Sequence, residues 1–482
     1  MRRFVTFLLF YALGCSAVAQ SPSGYLPTPE RDRQFAHDIF KQLVETNTSH
    51  SVGSVTEASK EIQRRLLEAG FLATDVTLLG PSDRKQNLVV RYRGTGARKP
   101  ILILCHLDVV EALRSDWSTD PFQFVEKDGY FYGRGTQDMK ADVAILVTNF
   151  IRLRRENYAP NRDLILALTA DEENGPDDGV EWLLKNHRAM LDADFVLNPD
   201  SGGVETDHGK PVVVGIGASE KIYADFLLTI TDRGGHSSLP HPNNPIYRLG
   251  AALERLQQSP FPYELNAVTA EYFSRLAPRV PAPDAAAINS ILKKPPDPAG
   301  FEQLSHDTYY NALLRTTCVP TRFSAGHANN ALPQTAEANI NCRILPGHSQ
   351  EEVRQDIIRI LADREITVRY RNVAGQIFDT APDLISPPPP PPRPDVIQSI
   401  EHIAALMWPG TPVTPEMETS TSDSVYTMMA GIPSYGVTGI ALDNDDIRAH
   451  GKDERLPVES FYRGLDFCYL YLKALTTTDT RN

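Results

Sequence analysis

The sequence predicts an α/β fold in which a mostly parallel sheet is flanked by helices and carries a smaller inserted α+β domain. Short apolar runs such as NLVVRY, ILILC and LILALTA alternate with helical segments up to about Gly217. Such runs are typical of buried parallel strands. The same pattern resumes near the C-terminus, with a helix at 395–407, an apolar run at 432–440 and a helix at 457–475. The chain has 482 residues, more than one ordinary domain, so we expect two domains.

A different pattern lies between these two stretches. It begins with the alternating segment IYADFLLTIT, which favours strands that bury one face only. The further predicted elements are helices at 245–258 and 349–362 and strands at 336–345 and 366–371. Consecutive prolines at 387–392 then predict a stiff, extended connector. We therefore assign 20–217 and 373–482 to the larger domain and 218–372 to an inserted α+β domain.

The N-terminus has the pattern of a secretory signal peptide. Arg2 and Arg3 precede an apolar run at 4–13 and a small-residue site at 17–19. The run is about half as long as a membrane-spanning helix, so we expect no membrane span. Cleavage after Ala19 would export the protein to the periplasm or the medium, and lipid attachment at Cys15 is the alternative.

Charge and cysteine content narrow the possible partners and bonds. The formal net charge of −13 opposes binding to phosphate backbones, so we expect no nucleic acid partner. Five cysteines in 482 residues do not make a disulfide scaffold. Cys318 with Cys342 is the one pair worth testing as a bridge, although we expect buried free thiols.

Several residues suited to metal binding follow apolar runs. His106 and Asp108 end the run ILILC, and their spacing of two places both side chains on one side of an extended strand. Asp138 precedes an apolar helix, where it is either a ligand or a helix cap. An ordinary strand end remains the alternative for His106 and Asp108.

Acidic side chains follow two more of the apolar runs. Asp171, Glu172 and Glu173 are consecutive acids that repel one another unless a cation offsets them. Asp200 follows FVLNP in the same way, and His450 lies in the motif HGKDER. Together the sequence offers two imidazoles and at least three carboxylates, the ligand set of two hydrolytic zinc ions.

The order of the motifs resembles one known family. HLDVV, DGYFYGRGTQDMKA, the acidic triplet, DSGG, GGHSS and HGKDER occur in this order over nearly the whole chain. They resemble the zinc aminoacylase/carboxypeptidase family, which includes glutamate carboxypeptidase, aminoacylase, carnosinase and succinyl-diaminopimelate desuccinylase. The segment around GGHSS is most similar to the Gly-X carboxypeptidase and N-acyl-amino-acid hydrolase branch. The resemblance implies an enzyme that hydrolyses an amide or peptide bond next to a free carboxylate.

The resemblance also implies roles for the candidate residues. Asp138 would bridge two metal ions, with His106 and Asp200 completing one site and Glu173 and His450 the other. Glu172 would be the general base, and Asp108 would orient His106. The ions would be two zinc ions, with Co(II) or Mn(II) as possible substitutes, and occupancy by one ion is left open.

Three residues of the insert would contact substrate. His236, in GGHSS, would reach the active site of a neighbouring subunit and stabilise the oxyanion. This role requires a homodimer formed through the insert. The insert would also act as a lid. Asn330 and Arg343 would bind the substrate carboxylate. The alternatives are a loop histidine for His236, the adjacent Asn329 in place of Asn330, and a structural salt bridge for Arg343.

Two questions remain open from the sequence. The substrate could be a small peptide or an N-acyl amino acid, because specificity depends on loops whose shape the sequence does not give. An exported binding protein that kept the scaffold and lost catalysis is the alternative from another class. All five ligands and Glu172 are present, which favours an enzyme.

Overall fold

A computed structural model describes residues 25–173, 177–383 and 385–477. The predicted signal peptide at 1–19, with Cys15, lies outside these residues. Within them, no helix combines the length and the apolar character needed to cross a bilayer. The described part of the chain forms thirteen α-helices: α1 (Glu30–Glu45), α2 (Val55–Glu68), α3 (Lys140–Arg155), α4 (Gly179–His187), α5 (Pro245–Gln258), α6 (Ala267–Leu276), α7 (Ala282–Ile291), α8 (Pro298–Leu304), α9 (Thr308–Leu314), α10 (Gln350–Leu361), α11 (Pro394–Met407), α12 (Ser424–Met429) and α13 (Val458–Thr476).

The same residues form twenty strands in five sheets. The strands are β1 (Val76–Leu79), β2 (Asn87–Tyr92), β3 (Ile101–His106), β4 (Val125–Lys127), β5 (Tyr130–Tyr132), β6 (Leu164–Thr169), β7 (Phe195–Leu197), β8 (Gly203–Asp207), β9 (Lys210–Glu220), β10 (Ile222–Thr231), β11 (Gly235–His236), β12 (Thr317–Ala325), β13 (Ala331–Leu332), β14 (Thr335–Ile344), β15 (Thr367–Arg371), β16 (Ile377–Phe378), β17 (Val413–Glu418), β18 (Ser434–Tyr435), β19 (Ala441–Asp443) and β20 (Arg455–Pro457).

The largest sheet has six strands in the order β1-β2-β6-β3-β7-β18. Strands β6, β3, β7 and β18 are parallel, and β1 and β2 add an antiparallel edge. Its strands are apolar on both faces because helices cover both: α1, α3 and α13 pack on one side, and α4 and α12 on the other. The predicted α/β class is confirmed.

A second sheet of four strands, β17-β9-β8-β19, lies next to the first. The apolar run at 432–440, predicted as one strand, pairs as a strand only over Ser434–Tyr435. Beyond it, Gly436 exchanges backbone hydrogen bonds of 2.6 and 2.9 Å with Gly217 of β9. A side chain at Gly436 would lie 1.7 Å from the Ser201 hydroxyl, so only glycine permits this close crossing between the two sheets.

The inserted region builds its own antiparallel sheet, β12-β14-β10-β15-β16. Its apolar face packs against α5 and α10 around a separate cluster of buried side chains. Helices α6 to α9 also fall within 218–372, but their apolar side chains, such as Phe273 and Ile288, pack into the core of the larger region. Most side chains of edge strand β12 are exposed. The helices that precede it pack into the core of the larger region.

The expectation of free thiols at Cys318 and Cys342 is wrong. The two residues form a disulfide bond. They lie directly opposite each other in the register of β12 and β14, with Cα atoms 4.1 Å apart. Residue spacing in the sequence does not fix that register. Cys105 and Cys468 are free thiols, and Cys105 is buried, as expected for a cysteine in a strand of the core.

Candidate metal centre

Three neighbouring parallel strands bring three of the predicted ligands to one edge of the large sheet. Strand β3 lies between β6 and β7, and the carboxyl ends of parallel strands meet at the same edge. His106 ends β3, Glu173 follows the end of β6, and Asp200 follows the end of β7. Asp138 comes from the turn before α3, and His450 from the loop between β19 and β20.

The first group of ligand atoms comprises His106, Asp138 and Asp200. These atoms all lie within 4.8 Å of one another. His106 Nε2 is 2.9 Å from Asp138 Oδ1 and 3.8 Å from Asp200 Oδ1. An imidazole and two carboxylates at such distances form a ligand set of the kind that binds a divalent ion.

The second group comprises Asp138, Glu173 and His450, with ligand atoms again within 4.8 Å of one another. His450 Nε2 is 3.1 Å from Asp138 Oδ2 and 2.9 Å from Glu173 Oε2. The two oxygens of Asp138 thus serve different groups. Helix α3 receives no side-chain cap, so the helix-cap alternative does not describe this carboxylate.

Asp108 supports both the imidazole and the acidic turn. Its backbone carbonyl lies 3.1 Å from His106 Nδ1, which leaves Nε2 facing the ligand group. The Asp108 carboxylate is 3.7 Å from the same nitrogen and instead accepts hydrogen bonds from the backbone N–H groups of Glu172 (3.2 Å) and Glu173 (3.0 Å). The orientation of His106 therefore comes from the Asp108 main chain, while the side chain holds the turn.

The consecutive acids after β6 have separate environments. Lys85 and His50 both contact the carboxylate of Asp171, with the His50 Nδ1 atom at 3.1 Å, so part of the acidic charge is offset within the protein. Glu173 belongs to the second ligand group. In the described part of the chain, no hydrogen bond or ion pair engages the Glu172 carboxylate.

The protonation behaviour of Glu172 suits proton transfer. Burial raises its pKa well above the ordinary value, and the negative charge of Asp200 raises it further, while His106 opposes the shift. A buried carboxyl group with a raised pKa beside a ligand cluster is a candidate for proton transfer.

The charges of the cluster fit a pair of divalent cations. Hydrogen bonds that His450 donates to Asp138 and then to Glu173 raise the pKa of His450 to about 10. Burial favours the neutral form of Asp138, but hydrogen bonds from His106 and His450 outweigh it and hold its pKa below the ordinary value. Protons on the two imidazoles would offset only part of the negative charge of the three carboxylates in the protein alone. Two divalent ions would supply more positive charge than these protons, and both imidazoles would then be neutral ligands.

Comparison with known proteins decides the family. The sequence pattern of peptidase family M20/M25/M40 matches residues 102–474. The chain belongs to this family. It is therefore a hydrolase of amide bonds in peptides or N-acyl amino acids. The matched range spans the positions of all five candidate ligands, and the match confirms the resemblance that the order of motifs predicted.

Individual proteins are similar over most of the chain. The N-fatty-acyl-amino acid synthase/hydrolase PM20D1 of Xenopus tropicalis is 28% identical over 389 residues, which cover 80% of this chain and 73% of that protein. The probable carboxypeptidase S-like 2 of Dictyostelium discoideum is 27% identical over 398 residues, 80% of this chain and 74% of that protein.

Solved structures share the fold at low identity. The M20 metallo-carboxypeptidase Sso-CP2 of Sulfolobus solfataricus superposes with a TM-score of 0.65 at 17% identity, covering 91% of this chain and 99% of that one. The YxeP protein of Bacillus subtilis, described as a dinuclear metal-binding peptidase of the M20 family, superposes with a TM-score of 0.56 at 14% identity, covering 92% and 98%.

Two of the insert residues predicted to contact substrate in this family member lie side by side. His236 is in β11, which pairs with β13, the strand that begins directly after Asn330. The Asn330 carbonyl accepts a hydrogen bond of 3.0 Å from Ser237 N. His236 is exposed, and its Nδ1 lies 2.7 Å from the Ser238 hydroxyl. In the single chain, neither residue forms a hydrogen bond or ion pair with any of the five ligands.

Arg343 lies on β14, the strand that β10 and β12 flank. Its guanidinium sits over the Tyr223 ring, 4.9 Å from the centroid, and burial lowers its pKa. Among the described residues, no carboxylate comes within ion-pair distance of it. The structural salt bridge considered from the sequence is therefore not formed in this chain, and the guanidinium keeps its hydrogen-bonding capacity.

Sequence analysis missed two residues that support the metal centre. Glu454 is completely buried and accepts hydrogen bonds from the turn that carries Asp138. Gln137 hydrogen-bonds the loop that carries His450. Both stand inside motifs that were recognised, DGYFYGRGTQDMKA and HGKDER. The available signal for a supporting role was that each residue lies close to a candidate ligand in the sequence. The sequence did not reveal their hydrogen-bond partners, because these lie more than 300 residues away.

Proposed function

We propose that this protein is an exported, zinc-dependent hydrolase that cleaves an amide bond next to a free carboxylate, with Glu172 as general base. The observation that carries the proposal is the pair of ligand groups that share Asp138, with the carboxylate of Glu172 beside them. Carboxylates and imidazoles are ligands of zinc, and cobalt or manganese would also accept them. Zinc, when bound, polarises the amide carbonyl and lowers the pKa of water.

The chain's own residues divide the remaining tasks. His106 and Asp200 would hold one metal and Glu173 and His450 the other, with Asp138 contributing to both ligand groups. Glu172 takes a proton from the attacking water and delivers it to the leaving nitrogen. Its freedom from hydrogen bonds within the described chain leaves the carboxylate available for both transfers.

Arg343 and Asn330 are proposed to bind the substrate carboxylate. The planar guanidinium donates two parallel hydrogen bonds to a carboxylate, and the lack of an ion-pair partner among the described residues supports this use of Arg343. The partial burial of Arg343 strengthens the attraction, because nearby water is reduced. An amino acid, a dipeptide or an N-acyl amino acid would satisfy this requirement.

His236 is proposed to act across a homodimer. Its exposure and its lack of contact with the ligands of its own chain favour a role in a neighbouring active site, where it would donate a hydrogen bond to the developing oxyanion. The insert would form the dimer contact and act as a lid. Edge strand β12 has outward-facing side chains, including Val319 and Phe323, that are available for such a contact.

Export is proposed from the N-terminal sequence. The charged start, the apolar run and the small-residue site at 17–19 support cleavage after Ala19. The Cys318–Cys342 disulfide also fits an oxidising compartment. Intact-mass measurement of protein from the periplasm or medium tests this, since a mature chain beginning at Gln20 is expected and a chain that retains residues 1–19 would contradict it.

A hydrolysis screen tests the proposed activity. Purified protein would be incubated with dipeptides and with N-acyl amino acids of short and long acyl chains, and each substrate would be paired with its carboxyl-amide analogue. We expect cleavage of free-carboxylate substrates, loss of activity on chelation, and recovery on adding zinc. Equal cleavage of the amidated analogues would contradict the carboxylate requirement, and full activity after exhaustive chelation would contradict metal dependence.

A further inference from the structure

The two loops that carry Asp138 and His450 hold each other through Gln137. Its side-chain nitrogen donates hydrogen bonds to the backbone carbonyls of Asp446 (3.0 Å) and Arg455 (2.7 Å). Its side-chain oxygen accepts hydrogen bonds from the backbone N–H groups of Arg448 (2.7 Å) and Ala449 (3.0 Å). One amide side chain thus uses its full set of two donors and two acceptor positions on a single loop.

Glu454 makes the reciprocal connection from that loop. One oxygen of its buried carboxylate accepts from the backbone N–H groups of Gln137 (2.6 Å) and Asp138 (3.2 Å). The other accepts from Gly135 N (3.1 Å) and from the Arg134 guanidinium (2.6 Å). The two segments are therefore joined in both directions, and one of these bonds reaches the backbone of the shared ligand.

The two histidine ligands differ in what holds them. The side chain of His106 is 1% exposed, ends a central strand, and is fixed by the Asp108 carbonyl. The side chain of His450 is 56% exposed, and among the described residues its ring is within ion-pair distance of the second group's carboxylates alone. Its backbone has a positive φ of 63°. The position of His450 therefore depends on the backbone around it. Gln137 binds the preceding residues Arg448 and Ala449, and the Arg134 guanidinium donates hydrogen bonds to the carbonyls of His450 (3.4 Å) and Gly451 (3.0 Å).

We propose that Gln137 is a positioning residue that fixes the His450 loop and thereby sets the affinity of the second metal, the one bound by Asp138, Glu173 and His450. The inference rests on the proposed two-metal site. Groups that orient metal ligands typically contribute on the order of 10–100-fold to metal affinity. The first metal would also share Asp138, but its other ligands, His106 and Asp200, stand on segments that the Gln137 side chain does not bind, so we expect it to depend on Gln137 much less.

The test is a zinc titration of metal-free protein by calorimetry. Variant Gln137→Ala removes all four side-chain hydrogen bonds, and Gln137→Glu keeps an acceptor oxygen and removes both donors. Gln303→Ala, an exposed glutamine on α8, is the matched control. In Gln137→Ala we expect one of the two binding events, the one that is absent in His450→Ala, to lose on the order of 10–100-fold in affinity. We expect the other event to be unchanged and Gln137→Glu to fall between Gln137→Ala and wild type.

A double-variant comparison separates positioning from general loosening. In a His450→Ala background the second site is already lost, so adding Gln137→Ala should not change the affinity of the remaining ion. In a His106→Ala background the same substitution should still weaken binding. A further loss in the His450→Ala background would overturn the proposal, because Gln137 would then act on the fold as a whole.

The remaining outcomes are also decisive. Wild-type protein that binds fewer than two zinc ions contradicts the two-metal function itself. Wild-type protein that binds two, with Gln137→Ala unchanged or equally weakened at both sites, overturns the role of Gln137 alone. Circular dichroism of each metal-free variant checks folding. If Gln137→Ala does not fold, the same selective loss is required of Gln137→Glu, and its absence there overturns the proposal.

Discussion

The metal-ligand pocket and the β11–β13 strand pair of the insert are built in opposite ways. The five candidate ligands meet within one chain, and hydrogen bonds to the side chains of Asp108, Gln137 and Glu454 fix the segments that carry them. The strand pair places His236 in solvent, next to Asn330, with no bond to any candidate ligand of the described chain. One chain thus brings the candidate metal ligands together, whereas the proposed contacts of His236 and Asn330 to the substrate would need lid closure or a second subunit.

Arg343 is intermediate between these two regions. It stands on a central strand of the insert sheet, half-buried against Tyr223, yet no acid among the described residues neutralises it. A half-buried cation without an acidic partner is costly, and a bound carboxylate would compensate it. Substitutions in the metal-ligand pocket should therefore lower the turnover rate or the metal content. Substitutions in the insert should instead lower substrate binding, or lower activity in the active site of a partner chain.

The largest effect is expected for Glu172→Gln. The amide keeps the size of the side chain but cannot accept the proton from water, so kcat should fall by roughly 100- to 10,000-fold. Zinc content should be unchanged, because Glu172 belongs to neither ligand group. Steady-state kinetics and elemental analysis check both parts, with the exposed Glu181→Gln on α4 as the control. Near wild-type kcat would remove Glu172 from its assigned role.

Loss of the proposed oxyanion donor should have the next largest effect. His236→Ala should lower kcat by about 100- to 1,000-fold, the typical cost of removing one such hydrogen bond. Metal binding should stay intact, since His236 contacts none of the ligands in its own chain. Wild-type kcat in this variant would support the interpretation of His236 as an ordinary loop histidine.

Mixing two inactive variants tests whether His236 acts across subunits. Dimers that combine one His236→Ala chain with one Glu172→Gln chain contain one intact composite site. Equimolar mixing after subunit exchange should therefore restore about a quarter of wild-type activity. No recovery in a mixture shown to contain heterodimers would place His236 in the site of its own chain, and an active monomer would exclude the trans arrangement.

Arg343→Ala should produce a smaller effect, confined to substrate recognition. The loss of a charge-assisted bidentate contact should lower kcat/KM by roughly 10- to 100-fold, mainly through KM. Arg343→Lys should recover only part of this, because an ammonium group lacks the planar fork. Arg322→Ala, exposed on β12, is the control. The same relative loss with a carboxyl-amide substrate would contradict a role in carboxylate binding.

The disulfide should affect stability with little effect on turnover. Cys318 and Cys342 are 24 residues apart in sequence, and a bridge closing a loop of this size contributes about 3 kcal/mol to the free energy of unfolding. Denaturant unfolding with and without reductant measures this. The double variant Cys318→Ser/Cys342→Ser should be equally destabilised and insensitive to reductant. Reductant sensitivity in the double variant would assign the effect to another thiol.

The sequence was sufficient to predict the large sheet and the ligands at its edge. The runs at 87–92, 101–106 and 164–169 are mostly apolar, as expected of strands covered by helices on both faces, and the strands form at these positions. The carboxyl ends of parallel strands necessarily meet. Therefore His106, Glu173 and Asp200 could be placed together without coordinates.

The features that escaped prediction depend on contacts between distant segments. The Cys318–Cys342 bond follows from the register of β12 against β14, which amino-acid spacing does not fix. Gln137 and Glu454 gain their importance from partners more than 300 residues away. The short β18 results from the crossing of Gly436 onto Gly217. Each depends on tertiary geometry rather than on a local pattern.

Metal content per chain is the most direct test of the account, because one shared carboxylate is claimed to support two ions. Native mass spectrometry should find two divalent ions in wild-type protein, one each in His106→Ala and His450→Ala, and none in Asp138→Ala at the same free zinc concentration. Two ions retained in Asp138→Ala, or a single ion in fully active wild-type protein, would contradict it.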